Sequence, residues 1–158
     1  MTESTGNPLI ETWHIHNRIN LYLLEAIPDD ALSASMTTRG RTVRDLFAHI
    51  HNVRLMWIKV ADADLMAGLN KIEPKTPATA NELSEALSAS GFAIAELLER
   101  ALNSGGKIKG FKPHPTAFTG YLISHESHHR GQIEWALKSA SMPLSDSVSY
   151  GLWEWGTR

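Results

Sequence analysis

The sequence predicts an all-α protein, an antiparallel four-helix bundle, on three observations. Four stretches repeat apolar residues with the 3.6-residue period of a helix. No stretch alternates apolar and polar residues with period two over a useful length. Proline, glycine or asparagine closes each helical stretch, with loops of moderate length between them. A chain of 158 residues, 42% of them hydrophobic, can bury one core without staples. It carries no internal repeat and no low-complexity tract, so one domain over residues 1–158 is expected.

The first helix runs from about Pro8 to Ile27, where Leu9, Trp13, His16, Asn20, Leu23 and Ile27 share a face and Pro28 closes the run. His16 and Asn20 are polar positions on an inward stripe. They face either a wet or metallic site or each other as a satisfied buried pair. The link from Pro28 to Gly40 is small and polar. Thr42 then reads as an N-cap with Asp45 three residues on, in a capping-box-like arrangement. Val43, Leu46, Phe47, Ile50, Val53, Trp57 and Val60 give the second helix its apolar face, with His49 at the edge and Gly68 and Asn70 as the stop. A loop from Pro74 to Thr79 precedes the third helix, whose Leu83, Leu87, Ile94, Leu97, Leu98 and Ala101 repeat until Asn103, Gly105 and Gly106. The fourth spans Thr116 to Ser141, between Pro115 and Pro143. Trp13, Trp57 and Trp135 are read as core or interface anchors, and Trp153 and Trp155 as packing back over the bundle or a partner subunit. His14 and His51 fall off the main stripes and are expected at the surface.

Composition excludes several function classes. A net charge of −2 provides no basic stripe for nucleic acid or anionic lipid. No run approaches the 18 or so apolar residues that span a bilayer. Met1 to Asn7 is polar and does not read as a signal peptide, so a cytoplasmic location is expected. Cysteine is absent, which removes disulfides, thiolate ligands and cysteine nucleophiles, and means that any thiol chemistry needs an external thiol. Eight histidines are the compositional oddity and point to metal or proton chemistry.

In the fourth helix the string His125-Glu126-Ser127-His128-His129-Arg130-Gly131-Gln132 sets His125 and His129 four residues apart, on one face, where two imidazoles can pinch an ion. Eight histidines can produce one such pair by chance, so the pair alone is a weak signal. His49 on the second helix can face it. Three neutral imidazoles plus an open position make the coordination set of a catalytic divalent ion, and all-nitrogen ligation suits zinc, nickel, copper or iron better than magnesium or calcium.

The stretch Val43-Arg44-Asp45-Leu46-Phe47-Ala48-His49-Ile50, followed about 75 residues later by the run ending in His-His-Arg-Gly-Gln, resembles the DinB family, also called the YfiT-like metalloenzymes. The similarity covers nearly the whole chain in helix order and spacing. It implies an antiparallel four-helix bundle, usually dimeric, with a histidine triad at one end of the bundle binding nickel, zinc or a similar ion. Carried over to this chain, the ligands are His49, His125 and His129. Some relatives resemble S-transferases that use low-molecular-weight thiols, and a mycothiol-dependent isomerase is similar in its bundle.

The expected function is therefore a metal-dependent enzyme that activates a thiol or water for transfer to a small electrophile, as an S-transferase or hydrolase. Its rivals are a non-catalytic metal-binding or stress-response protein whose ion stabilises the bundle, and a metal-free interaction module. His16, Asn20 and Gln132 are candidate pocket residues. His128 points about 100° away from His129 and suits a surface or subunit-interface role. Gly131 within a helix suggests close helix packing. Glu126 and Glu134 are expected either to orient ligand imidazoles or, as bundle-surface glutamates usually are, to be solvated.

Overall fold

The computed structural model describes residues 6–158; the first five residues of the polar N-terminal stretch lie outside the described residues. Four long helices are present, α1 (Pro8–Glu25), α2 (Val43–Ala61), α3 (Ala80–Asn103) and α4 (Pro115–Ser139), followed by a short α5 (Asp146–Gly151). Two 3-10 turns, Asp29–Ser33 and Ala63–Met66, decorate the links, and no strand occurs among the described residues. The four long helices form the antiparallel bundle. No described helix is long and apolar enough to cross a membrane.

Local chemistry starts each helix. The Asn7 side chain accepts the Leu9 backbone N–H at 2.9 Å, with Pro8 at the first helical position of α1. Thr42 with Asp45 and Thr79 with Glu82 form complete capping boxes at α2 and α3. His114 caps α4 through the Ala117 N–H, and Pro115 is its first residue. Such caps contribute about 0.5–2 kcal/mol each.

Both α1 and α2 lie along α3, while α4 packs against α2 and α1. Around the bundle the order is thus α1, α3, α2, α4, and the seam between α2 and α4 is open to side chains from both. The core divides in two along the bundle axis. One cluster gathers Leu23, Phe47, Leu83 and Ile133. The other gathers Trp13, Ile58, Ile94 and Phe118. Between them every long helix contributes polar side chains to one buried layer: Asn17 and Asn20 from α1, Arg54 from α2, Ser90 from α3 and Glu126 from α4.

Several sequence expectations are corrected here. α2 stops at Ala61, well before Gly68, because Asp62 leaves helical geometry (φ −155°) and its carboxylate is held by Arg100 at 2.9 Å. Its buried stripe runs through Ile50, His51, Arg54, Leu55 and Ile58, whereas Val60 is exposed. His51, expected at the surface, is buried and donates Nε2–H to the Asn70 carbonyl at 2.8 Å. Gly131 is not at a close helix contact: it is exposed, and a Cβ there would meet nothing within 4 Å. Trp13 is fully buried and donates its indole N–H to the Gly91 carbonyl at 2.8 Å. Trp135 and Trp153 stand exposed, while Trp155 packs on the first cluster.

Candidate metal centre

His125 and His129, one turn apart on α4, reach across the seam to His49 on α2. The ring centroids lie 4.5 Å apart for His125 and His129, 4.6 Å for His49 and His129, and 5.4 Å for His49 and His125. One nitrogen from each ring falls within 4.8 Å of the other two. The Nε2 atoms of His125 and His129 are 3.1 Å apart. Two nitrogens that each bond one ion at about 2.1 Å stand roughly 3.0–3.4 Å from one another, so this spacing fits a shared ion. His125 and His129 lie in the middle of α4 and His49 in the second turn of α2.

Neighbouring groups set the state of these rings. Gln132 Oε1 accepts the His129 Nδ1–H at 2.7 Å, which leaves the Nε2 lone pair free toward the common point. His125 Nδ1 is buried without a hydrogen-bond partner among the described residues. Burial is the main cause that lowers the proton affinity of all three imidazoles. For His49, burial followed by Arg41 and the other two rings brings the pKa down to about 4. Neutral imidazole is the form that donates to a metal, so the donor set fits a divalent transition ion. His128 is exposed and stands outside the group. A cleft of about 290 Å³ opens on His49 between the start of α2 and the loop around Pro74.

Two of the candidate pocket residues, His16 and Asn20, belong instead to the buried layer beside the triad. Glu126, which sequence reasoning treated as a solvated or imidazole-orienting side chain, is completely buried at its centre. Arg54 grips it with two parallel bonds, Nε to Oε1 at 2.7 Å and Nη2 to Oε2 at 2.8 Å. His16 Nε2 and Asn20 Nδ2 both donate to Oε2 at 2.7 Å. Although burial favours the protonated carboxyl, these contacts outweigh it, Arg54 foremost, and hold Glu126 well below the usual carboxylate range. Burial in turn keeps His16 neutral, and its Nδ1 accepts from Arg130 at 3.3 Å. Arg130 also donates to Asn20 Oδ1 at 2.7 Å, and Arg54 reaches Asn17 and the Leu87 carbonyl. Arg54 and Arg130 were missed because charged residues are discounted on an apolar stripe. The available signal was the pair His16 and Asn20, two inward polar residues that require partners.

The sequence model of the DinB family matches residues 1–142. The crystal structure of a DinB-like protein from Bacillus cereus shares the fold, with a TM-score of 0.65 at 20% identity over 87% of this chain and 93% of that one. No curated protein matches the chain.

Proposed function

The chain belongs to the DinB family, and on that premise we propose that it is a metal-dependent enzyme whose His49, His125 and His129 hold one divalent transition ion, nickel or zinc first and iron or copper next. The observation that carries this reading is the convergence of three neutral imidazole nitrogens within 4.8 Å of one another beside an open cleft. A divalent ion bound there supplies Lewis-acid chemistry, making a coordinated water or thiol acidic near neutral pH.

The protein's own residues do the rest. Gln132 fixes the tautomer and orientation of His129. The buried layer fixes α4, and with it the direction of His125 and His129. The cleft admits a small electrophile or thiol to the His49 side of the triad. Because the chain has no cysteine, the nucleophile in an S-transferase reaction is an external low-molecular-weight thiol, and in a hydrolase reaction it is water. The cleft, together with the lack of a fourth metal-binding side chain in the group among the described residues, favours an enzyme over a purely structural ion site, which would be closed by protein ligands. Exposed Trp135 and Trp153 support a homodimer, and the absence of cysteine suits a reducing cytoplasm.

Elemental analysis of the purified protein, followed by a screen of small thiols against a model electrophile, tests the proposal. About one nickel or zinc ion per chain is expected, together with a thiol-dependent turnover that His125→Ala abolishes. Protein without bound metal, or a variant that keeps both metal and turnover, would contradict it.

A further inference from the structure

Resting on the metal-centre reading of the same site, we infer that the cleft beside His49 takes a small organic anion, whose carboxylate or phosphate group is held by Arg39, Arg41 and Lys75. These three cations line the cleft together with a single acid, Asp45. Asp45 already accepts from the Thr42 backbone N–H and hydroxyl, at 3.2 and 2.9 Å. The chain as a whole carries a net charge of −2, so this concentration of positive charge is local.

The cations are also uncommitted. Among the described residues Arg18, Arg44, Arg54, Arg100, Arg130 and Arg158 each donate to a protein acceptor. Arg39 and Arg41 have no such acceptor, and they are the two arginines that line the cleft. A guanidinium fork matches the paired oxygens of carboxylate or phosphate. His49, one ring of the triad, lines the same cleft as Arg39, Arg41 and Lys75, which places the anion-holding groups within a small molecule's reach of the metal centre.

The opposite wall of the cleft is held in place by α2. His51 donates to the Asn70 carbonyl, Asn52 pairs with both backbone groups of Ile72 (2.7 and 2.9 Å), and Arg44 donates to the Ala78 carbonyl at 2.7 Å. Lys75 sits in the span so fastened, in a left-handed conformation (φ +63°) that residues bearing a side chain seldom adopt. A tethered loop that carries a lysine in this conformation is suited to hold a charge over the cleft.

Calorimetric titration with succinate, its neutral counterpart succinamide, and inorganic phosphate tests the inference, on wild type and an Arg41→Ala/Lys75→Ala variant, each with and without one equivalent of nickel. Wild type is expected to bind succinate or phosphate at least about tenfold more tightly than succinamide, and the stronger of the two anions identifies the recognised group. In the variant that ratio is expected to fall to about one while nickel affinity is retained. Equal binding of succinate, phosphate and succinamide by wild type, or an anion preference that survives in the variant, overturns the inference. If nickel fails to bind but nickel-free protein still prefers the anion, the cleft assignment stands and the metal reading falls.

Discussion

Adjacent residues of the same two turns of α4 serve two polar assemblies of opposite character. Glu126 and Arg130 turn into the bundle, where Arg54, His16, Asn20 and Asn17 pair their charges and amides in a layer shared by all four long helices. His125 and His129 turn to the α2 seam, where their converging nitrogens meet only each other and His49. One assembly is saturated and fully buried; the other, with His129 buried and His49 and His125 partly exposed, is short of partners. The contrast separates the polar groups that hold the helices in register from those left free to bind.

Removing a partner from the saturated layer should have the largest effect. Glu126→Ala leaves the Arg54 guanidinium buried without its counter-charge, and a loss of about 3–5 kcal/mol is expected in urea unfolding. An unchanged midpoint would mean that the layer does not hold the bundle. Replacing Arg54 and Glu126 together with methionine and leucine should cost less than the single change, because no unpaired charge remains.

The triad should respond to metal where the layer does not. Nickel or zinc at a hundredfold excess over its dissociation constant should stabilise wild type by about 2.7 kcal/mol, read as a rise in Tm, and His125→Ala should lose that gain. Gln132→Leu should weaken metal binding about 10–100-fold, since His129 loses the acceptor that fixes its ring, while unfolding without metal changes little.

Acid offers a further contrast. The folded protein lowers the His49 pKa from 6.5 to about 4, so the unfolded chain binds the proton more readily. The metal-free protein should therefore lose stability as pH falls from 6.5 toward 4, and His49→Gln should flatten that part of the profile. The smallest effect belongs to Gly131, which neither assembly uses. Gly131→Ala should stabilise α4 by about 1 kcal/mol with metal binding unchanged.

Periodicity made the four helices legible, and the capping-box pattern at Thr42 marked the start of one of them. Spacing alone put His125 and His129 on one face. The apolar stripe of α2 was misread where it was followed to Val60, which is exposed, although Trp57 does pack on the second core cluster. The true stripe carries His51 and Arg54, residues that a hydrophobic pattern passes over. Glu126 was misjudged for a related reason, since burial of a glutamate depends on partners supplied by other helices and those are invisible along one strand of sequence. The inward His16 and Asn20 did register the layer, as the satisfied polar partners that one of the two readings required. The uncommitted arginines at the cleft have no sequence signal, because a free arginine and a paired one look alike before the chain is folded.

The central claim, that three imidazoles from α2 and α4 share one ion, is most directly tested by anomalous diffraction at the nickel edge from a crystal grown with one equivalent of nickel. A single strong peak at about 2.1 Å from nitrogens of His49, His125 and His129 is the result expected. A peak elsewhere, or coordination by fewer than all three rings, would contradict it.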